Sequence, residues 1–411
     1  MKKVLIIGTL DTKGPEHLFI KEAIENEGLK TIVMDIGVKG HPAFMPDITN
    51  STVAAAGGSD ISCLIEHDDR GYAIDIMMQG ATKIVTDLYN NSIIGGIISL
   101  GGSAGTTIAT AAMRLLPVGF PKVMVSTVTS GDIRHYVGYK DIVMIHSVTD
   151  ISGINIISSQ IFNNAAMAVS GMMKAHKKHH ESKPIVAATM FGVTTPCVTT
   201  ARQLLELQGY EVLVFHANGS GGIAMERLIE TGIINGVLDV TTTELCDEII
   251  GGTCSAGPNR LEMAGRMGIP QVVSLGALDM VNFGPLHTVP AQFVSRKLYK
   301  HNASSTLMRT NERECVELGK VISHKLNCSQ GLTSLYIPLR GLSLIDVFNK
   351  PFYGRKEDEA LFWSIRKHID KNNVQVIELD TDINHESFAL TIAKKLISLI
   401  KIHHAMRLKS S

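Results

Sequence analysis

The stretch IIGGIISLGGSAGTTIATAA, residues 93–112, decides the fold. It predicts a buried strand from Ile93 to Leu100 that runs directly into a glycine loop, Gly101–Thr106, and then into a helix of small residues. Glycine lets backbone N–H groups approach a ligand closely. The first N–H groups of a helix have no intrahelical partner and lie at its positive dipole end. The stretch therefore predicts an anion site, most naturally for a phosphate, with a simple tight turn as the alternative.

Length and composition indicate a globular α/β protein. The 411 residues are too many for one ordinary core and suggest two domains, or three. Hydrophobic residues make up 45% of the chain and charged residues 19%, and the 37 glycines favour an α/β protein with many short turns. Basic and acidic residues both number 39, so no charge excess exists to hold nucleic acid. We expect no nucleic-acid partner.

The cysteines and the apolar runs indicate a cytoplasmic protein. None of the six cysteines forms a C-x-x-C pair or a disulfide-like pattern, which is typical of reduced thiols. No uninterrupted apolar stretch approaches the length of about eighteen residues that a membrane span requires. The N-terminal apolar run ends at Gly8 without a cleavage site, so it predicts a first strand rather than a signal sequence. We expect a cytoplasmic location and no membrane partner.

Polar loops follow three predicted strands in the first half. Asp11-Thr12-Lys13 follows the strand Val4–Ile7, the glycine loop follows the central strand, and Ser126–Asp132 follows the strand Lys122–Val125. A doubly wound sheet binds ligands outside the carboxyl ends of its strands, so we expect the three loops to meet at one edge. Together they offer backbone donors, hydroxyls, one ammonium group and two carboxylates.

This inventory suits a phosphorylated ligand. Lys13 would act as a point charge, and Asp11 or Asp132 is available to Mg²⁺. The order Lys13-Gly14 reverses that of a Walker A loop, and neither glycine run fits G-x-G-x-x-G. The pattern therefore argues against a P-loop ATPase and against a standard dinucleotide site. A phosphosugar or a phosphorylated acid would use the same loops.

The segment KAHKKHHESKP, Lys174–Pro184, is typical of a boundary between domains because it is polar, basic and without a hydrophobic period. Its histidines, with Glu181, offer metal ligands. A solvated linker is the interpretation that we favour, since no further ligand stands at a suitable spacing.

The chain after this boundary repeats the pattern of the first half. An offset of 181 residues relates Pro15 to Pro196, and it relates the segment Glu27–Asp35 to Gln208–His216. Such self-similarity predicts two similar doubly wound, Rossmann-like α/β domains, which we expect to face each other across a cleft. The predicted domains are a nucleotide-binding α/β domain over residues 1–178 and a second α/β domain, with a C-terminal helical extension, over residues 184–411.

The second half carries its own polar residues at predicted strand ends and loops. His216 and Glu244 are candidates for a general acid or base, with hydrogen-bonded structural groups as the alternative. Arg260 is either an anchor for a phosphate or carboxylate or a surface charge. Asp279 begins a Gly/Pro-rich loop, residues 279–287, that we expect to close over the cleft.

The motifs GTLDTKG, SLGGSAGT, STVTSGD, HANGSGG and GGTCSAGPNRLEMAGRMGIPQV together make the chain similar to the Tm-1-like ATP-binding family. That family includes the amino-terminal, ATP-binding inhibitory domain of the plant tobamovirus-resistance protein, and the resemblance covers nearly the whole chain. It implies two α/β domains, ATP bound by the first domain, and a homodimer; a viral-helicase partner is not implied. The positions that it implies for the phosphate contacts are Gly101, Gly102, Ser103, Gly105 and Thr106, with Ser126, Thr127, Ser130 and Gly131 nearby.

The functional expectation is a protein that binds ATP with Mg²⁺, and three alternatives stay open beyond that. If His216, Glu244, Arg260 and Asp279 line the cleft as catalytic residues, ATP would drive phosphoryl transfer to, or activation of, an unidentified second small molecule. A non-catalytic, nucleotide-gated module that binds another protein is the second alternative, and an enzyme acting on a phosphosugar or phosphorylated acid is the third. The sequence does not distinguish these alternatives, because polar residues of the same types line a cleft whether they serve catalysis or structural hydrogen bonding.

Overall fold

The computed structural model describes residues 2–175 and 183–410. The chain divides into two compact units, Met1–His179 and His180–Ser411, and each contains a parallel sheet. The predicted fold class, two Rossmann-like α/β units, is confirmed. The linker histidines lie outside the described residues, and the boundaries at 178 and 184 and the cleft stay predictions.

Over residues 2–175, the first unit contains five strands and seven helices. The strands are β1 (Lys3–Gly8), β2 (Thr31–Asp35), β3 (Ile94–Gly101), β4 (Lys122–Ser126) and β5 (Val143–His146). The helices are α1 (Leu10–Asn26), α2 (Asn50–Gly57), α3 (Ile61–His67), α4 (Arg70–Asn90), α5 (Ser103–Leu115), α6 (Arg134–Val137) and α7 (Ile156–Lys174). The sheet order is β2-β1-β3-β4-β5, and every neighbouring pair runs parallel.

Helices cover both faces of this sheet because its strands are apolar on both sides. On one face, Ile20 of α1 and Phe162 of α7 pack against the even-numbered residues of β1 and β3. On the other face, α2, α4 and α5 contribute Val53, Met77 and Ile108. The unit is therefore doubly wound, as the sequence predicts.

Helix α1 begins earlier than the sequence predicts. Its first turn starts at Leu10, but Lys13 has a non-helical backbone, with φ −135° and ψ 32°. The regular helix resumes around Pro15, where a missing N–H removes no hydrogen bond. The residues at the end of β1 thus form a separate turn beside the sheet edge.

The second unit contains nine strands and seven helices within the described residues. The strands are β6 (Ile185–Met190), β7 (Glu211–His216), β8 (Ile234–Thr241), β9 (Gln271–Gly276), β10 (Met280–Phe283), β11 (Leu298–Asn302), β12 (Ser305–Arg309), β13 (Thr333–Pro338) and β14 (Val374–Leu379). The helices are α8 (Thr195–Leu207), α9 (Ser220–Glu230), α10 (Glu244–Ile250), α11 (Met263–Arg266), α12 (Glu312–Asn327), α13 (Arg355–His368) and α14 (Glu386–Ser410). Three short 3-10 turns cover Gly192–Thr194, Leu286–Thr288 and Ala291–Phe293.

The two units share a strand order. Read from its free β7 edge, the second parallel sheet runs β7-β6-β8-β9-β13-β14, which repeats the order of the first sheet and adds one strand. The repeat extends to the surface. The ion pair Lys21–Glu25 on α1 has its counterpart 181 residues later in Arg202–Glu206 on α8, and both N–O distances are 2.6 Å.

A small antiparallel sheet in the second unit is absent from the sequence-based prediction. Its order is β10-β12-β11, so Asn282 lies in a strand and not in a mobile loop over a cleft. The prediction of a loop over residues 279–287 is wrong for Met280–Phe283, which form β10. Asp279 lies in the turn before this strand, and His287 lies in an exposed 3-10 turn. The error arose because β10 is short and flanked by Gly and Pro, which are typical of a loop.

The long C-terminal helix covers the second parallel sheet. Phe388, Ile392 and Leu396 of α14 are fully buried against Val198 and Leu205 of α8 and the strands. The C-terminal helix is thus a cover for one face of the sheet. Among the described residues, no helix is long and apolar enough to cross a lipid bilayer.

The contact between α2 and α4 gives a prediction for stability. A Cβ added to Gly80 would lie 1.9 Å from the carbonyl oxygen of Val53, so the helices touch backbone to backbone there. We expect Gly80→Ala to lower the free energy of unfolding by about 1–3 kcal/mol, because the helices must move apart. Gly171→Ala on α7, where an added Cβ meets nothing within 4 Å, should raise it by up to about 1 kcal/mol. Urea denaturation of both variants checks this, and equal effects would contradict it.

Candidate functional site

The strand order of the first unit places a crevice between β1 and β3. From β1 the chain moves to β2 on one side and then returns to β3 on the other side. At such a switch point the loops after the two central strands diverge, and open α/β sheets bind their ligands there. In this unit the diverging loops are the start of α1, from Thr9, and the glycine loop before α5.

The N-terminus of α5 is open and unpaired. Gly102 is its N-cap and makes no side-chain cap, and the first helical hydrogen bond runs from Thr106 N–H to Gly102 O at 2.9 Å. No described residue accepts the N–H groups of Ser103, Ala104 or Gly105. A Cβ added to Gly102 would find only Thr127 Oγ1, at 3.8 Å. The helix start thus has three donors without an acceptor among the described residues. Gly102 and Ser103 beside them are accessible, whereas Gly105 is buried. This arrangement suits an anion.

Other residues of the predicted site make buried contacts next to this opening. The Thr106 and Ser126 hydroxyls are buried and bond each other at 2.6 Å, which ties α5 to the end of β4. A Cβ on Gly101 would lie 3.0 Å from the Cα of Gly105, so strand end and helix meet backbone to backbone. Of the predicted contact residues, Gly102, Ser103 and Thr127 are accessible at the opening, Ser130 and Gly131 are exposed further along the loop, and Gly101, Gly105, Thr106 and Ser126 are buried.

The start of α1 lies across the switch point from the glycine loop. Lys13 Nζ donates to the carbonyl of Ile151, in the loop after β5. Asp11 Oδ2 accepts the Lys39 N–H at 2.8 Å, whereas Asp11 Oδ1 is buried and has no hydrogen-bond partner among the described residues. Thr12 is exposed and donates to the Thr9 hydroxyl at 3.0 Å. The start of α1 therefore contributes one cation, Lys13, and one carboxylate, Asp11, with an unpaired oxygen.

Asp132 is less suited to Mg²⁺ than Asp11. It is exposed, and both of its oxygens accept hydrogen bonds from Arg134 at 2.7–3.1 Å. This bonding holds the pKa of Asp132 well below its usual range. Within residues 2–175 and 183–410, no group of three or more His, Cys, Asp or Glu side chains could hold a metal ion. The metal pair Asp11 and Asp132 stays a prediction.

Sequence reasoning missed two buried carboxylates beside the crevice. Asp35, at the end of β2, accepts the N–H groups of Leu10 and Gly37 through Oδ1, while its Oδ2 has no described partner. Burial, and then the nearby charge of Asp11, raise the pKa of Asp35. Glu16 accepts the Gly153 N–H at 2.6 Å, and its second oxygen is also unpaired. The strand-end position of Asp35 was the available signal; Glu16 looks like an ordinary charge on a helix.

In the second unit, the corresponding edge is filled by charged side chains of the chain itself. Arg260 is 1% exposed, and its two terminal nitrogens bond both oxygens of Asp239, at 2.5 and 2.7 Å. Its Nε donates to Glu244 at 2.6 Å, and the remaining donors reach Glu226 and the Thr241 carbonyl. All five N–H groups of Arg260 are used. Burial raises the pKa of Glu226 and of Glu244, and Arg260 opposes this in both.

Glu244 also occupies the glycine loop before α9. Its Oε1 accepts the N–H groups of Gly219 and Gly222 at 2.7 and 3.0 Å. A Cβ on Gly222 would lie 2.2 Å from Glu244 Oε2, so the glycine leaves room for the carboxylate. The second glycine loop therefore binds an anion, and this anion is a side chain of the same chain.

The structure does not bring the four predicted catalytic residues together. Glu244 and Arg260 contact each other in the interior, where neither reaches solvent. Asp279 is fully buried, accepts the Ser343 hydroxyl at 2.8 Å, and belongs to another cluster around Arg309. His216 is exposed at the end of β7. Glu244, Arg260 and Asp279 therefore do not line a solvent-facing cleft, as the sequence led us to expect, because buried partners surround their charges. A catalytic role for the four residues stays a prediction.

Comparison with known proteins now gives the family. The N-terminal domain model of "Uncharacterised protein family (UPF0261)" matches residues 2–178, and the C-terminal domain model matches residues 183–400. The chain belongs to the UPF0261 family. A UPF0261 protein of Clostridium tetani is 57% identical over 401 residues, covering 97% of this chain and 99% of its own. A UPF0261 protein of Rhizobium meliloti is 41% identical over 390 residues, covering 95% and 97%.

A plant protein confirms the resemblance noted from the motifs. The ToMV resistance protein Tm-1(GCR237) of Solanum lycopersicum is 36% identical over 421 residues, which cover 97% of the UPF0261 chain and 56% of the tomato protein. Among solved structures, UDP-N-acetylglucosamine 2-epimerase from Rickettsia bellii covers 97% of this chain and 96% of its own at 8% identity and a TM-score of 0.24. The Streptomyces glycosyltransferase SsfS6 covers 66% and 82% at 15% identity and a TM-score of 0.21. Structural likeness this low carries no argument about ligand or reaction.

Asp247, in the second unit, forms hydrogen bonds with the loop that leads to Arg260. Its Oδ1 accepts the N–H groups of Cys254 and Asn282, and its Oδ2 accepts the Asn282 side-chain amide at 2.8 Å. Burial raises the pKa of Asp247 to about 7. The folded protein therefore binds this proton more tightly than the unfolded chain does.

This difference predicts a pH dependence of stability. Because the folded pKa lies above the unfolded value of 3.8, the stabilisation from the protonated carboxyl is complete below pH 3.8 and is lost as pH rises to about 7. Its loss amounts to roughly 4 kcal/mol at most. We expect Asp247→Asn, which is neutral throughout, to lose less stability than the wild type between pH 5 and pH 8 in urea denaturation. Glu312→Gln, an exposed control, should follow the wild type; parallel curves for all three proteins would refute the assignment.

Proposed function

We propose that the first unit binds ATP, or a closely related phosphorylated ligand, at the crevice between β1 and β3. One observation carries this proposal: the N–H groups of Ser103, Ala104 and Gly105, at the start of α5, have no acceptor among the described residues, and Gly102 and Ser103 leave the helix start accessible. An isolated N–H group at a helix start is commonly satisfied by water. Three together, at a topological switch point and backed by rigid contacts, suit a phosphate group much better.

The residues around this opening fit a phosphorylated ligand. Phosphate oxygens would accept the N–H groups of α5, and Lys13 offers positive charge from the other side of the crevice. A nucleotide-bound Mg²⁺ needs only one or two carboxylates besides phosphate and water oxygens. Asp11, with one unpaired oxygen, fits that need. When bound, the metal would neutralise phosphate charge.

ATP is the preferred ligand because of the family resemblance. Phosphate recognition alone would suit a phosphosugar or a phosphorylated acid equally well. The assignment to ATP therefore depends on the resemblance of the glycine and STVTSGD motifs to the Tm-1-like ATP-binding family.

The contrast between the units supports assigning the ligand to the first one. In the second unit, Glu244 supplies a carboxylate to the N–H groups of Gly219 and Gly222. In the first unit, residue 104 of the corresponding segment is alanine, so no side chain of this kind is available. A phosphate in the crevice of the first unit therefore meets no carboxylate from this position.

Binding is the function that the geometry supports better than ATP-driven transfer. Three of the four residues expected to serve as acid, base or anchor are buried with partners of their own. A nucleotide-binding module that presents a surface to another molecule needs none of them. Incubation of the protein with Mg²⁺ and ATP, together with pooled small acids and sugars, tests the alternative by mass spectrometry. Substrate-dependent formation of ADP or AMP would establish the enzyme instead.

Gly102→Val tests the binding site directly. The new side chain has room within the protein, since its Cβ meets only Thr127 Oγ1 at 3.8 Å, but it fills the space in front of the α5 donors. We expect the affinity for ATP in calorimetry to fall at least tenfold, which corresponds to about 1.4 kcal/mol, while the midpoint of thermal unfolding without ligand changes little.

The matched control is Gly171→Val on α7, where an added Cβ meets nothing within 4 Å. Its distance from the carboxyl edge of the sheet should leave ATP affinity unchanged. If Gly102→Val bound ATP as tightly as this control does, the α5 N-terminus would not be the phosphate site.

A further inference from the structure

A cavity of about 810 Å³ lies at the amino edge of the second parallel sheet, at the opposite end of the strands from the glycine loops. It is bounded by the start of β6, by residues at the starts of β7 and β8, and by the last turns of α14. A volume of this size is typical of a site for a small molecule. All of the described lining residues belong to the second unit, so this cavity is separate from the crevice between β1 and β3.

The polar groups of this cavity are mainly hydrogen-bond donors. Lys183 and Lys401 bring two ammonium groups, and neither forms an ion pair or a hydrogen bond with a described residue. The side-chain oxygen of Asn235 accepts the Ile185 N–H at 2.7 Å, and no described residue accepts its NH₂ group. His404 adds an imidazole, and no Asp or Glu is among the described lining residues. The cavity therefore suits an anion.

Tyr210 supplies a donor that is buried. It lines the cavity, is 8% exposed, and forms no hydrogen bond through its hydroxyl with a described residue. Buried tyrosine hydroxyls usually find a partner, because an unpaired polar group is costly to bury. Burial raises the pKa of Tyr210, so the hydroxyl keeps its proton and can donate to an anion. Exposed lysines alone would not indicate a site, whereas this hydroxyl points to a ligand.

The corresponding corner of the first unit allows a direct comparison. Helix α14 covers the second sheet as α7 covers the first, with an offset of 227 residues between the two helices. The equivalent contacts of each helix with a strand glycine are those of Val169 and Met173 with Gly96, and those of Leu396 and Ile400 with Gly236. By the same offset, Lys401 is the counterpart of Lys174.

Lys174 has a partner within the chain, and its counterpart has none. The Nζ atom of Lys174 lies 2.7 Å from an oxygen of Glu27, which is the C-cap of α1. The equivalent C-cap, that of α8, is Gln208. Because glutamine carries no charge, Lys401 lacks the carboxylate that neutralises Lys174 in the first unit.

The first unit also lacks the space and the buried hydroxyl. Leu29 stands at the position of Tyr210, and Gly95 stands at the position of Asn235. A Cβ added to Gly95 would lie 2.9 Å from the Met173 side chain, so even a methyl group has no room at this corner. The two units therefore differ at their amino edges in the steric, polar and charged features that a ligand requires.

We propose that the cavity of the second unit binds a small phosphate monoester with an apolar body. The terminal oxygens of the phosphate would accept hydrogen bonds from Lys183, Lys401 and the Tyr210 hydroxyl. A phosphate dianion also matches two ammonium charges, whereas a carboxylate brings one charge and two oxygens. The apolar body would contact the isoleucine side chains that line the cavity, which are Ile185, Ile233 and Ile400.

Gln208→Glu tests the site by restoring the internal partner. The variant gives Lys401 the carboxylate that Glu27 gives its counterpart, an arrangement that the first unit accommodates. In calorimetry with phenyl phosphate as the probe, we expect Gln208→Glu to bind about tenfold more weakly than the full-length wild type. Gln79→Glu, which adds the same charge at an exposed position of α4, should bind as the wild type does. The wild type should bind inorganic phosphate at least about fivefold more weakly than phenyl phosphate.

Tyr210→Phe gives a second readout that leaves the charges unchanged. It removes only the hydroxyl, so we expect the same midpoint of thermal unfolding and a loss of about fivefold in affinity for phenyl phosphate. Gly102→Val should keep the wild-type affinity, because it alters the other unit. The proposal would be overturned if the wild type bound no phenyl phosphate or bound benzoate more tightly. Unchanged affinity in folded Gln208→Glu and Tyr210→Phe, or loss of binding in Gly102→Val, would overturn it as well.

Discussion

An N–H group at the start of a helix must find an acceptor, and the two halves of this chain meet that requirement differently. In the second unit the acceptor is internal, because Glu244 reaches the N–H groups of Gly219 and Gly222. Arg260 supplies the counter-charge that the buried Glu244 carboxylate needs, and Asp239 accepts hydrogen bonds from the terminal nitrogens of that guanidinium. In the first unit, alanine stands at the position of Glu244, and the N–H groups at the start of α5 have no acceptor among the described residues.

The same strand order thus supports two carboxyl edges of different chemistry. The apolar strands and the shared order make the two scaffolds similar, whereas a few positions after the third strand of each unit, β3 or β8, decide what fills the crevice. Gly101-Gly102-Ser103-Ala104 leaves space, and Thr241-Thr242-Thr243-Glu244 fills it with hydroxyls and a carboxylate. Fold and ligand chemistry are therefore set by different residues, and a repeat in sequence need not be a repeat in function.

The sequence was informative where local pattern determines structure. The 181-residue offset and the continuous apolar strands predicted the doubly wound units. The accessible glycine loop before α5 was visible because Gly101 and Gly102 directly follow a buried strand, and a ligand there stays a prediction. Arg260 was ambiguous, since its enclosure depends on three carboxylates from distant segments. Residues 280–283 were assigned to a loop because the pairing of β10 with β12 is not visible in a short strand next to Gly and Pro. Burial of charge is a property of tertiary structure, and local spacing does not encode it.

The buried contacts next to the glycine loop affect the thermodynamics of ligand binding. The Thr106–Ser126 hydrogen bond and the contact between Gly101 and Gly105 leave the start of α5 little freedom to move. Such a preorganised site loses little conformational entropy when it is occupied, so most of the interaction energy with an anion remains available as affinity. In the binding that we propose, the helix start would act as a rigid electrostatic receptor, and its selectivity would depend on the spacing of its donors and not on an induced rearrangement.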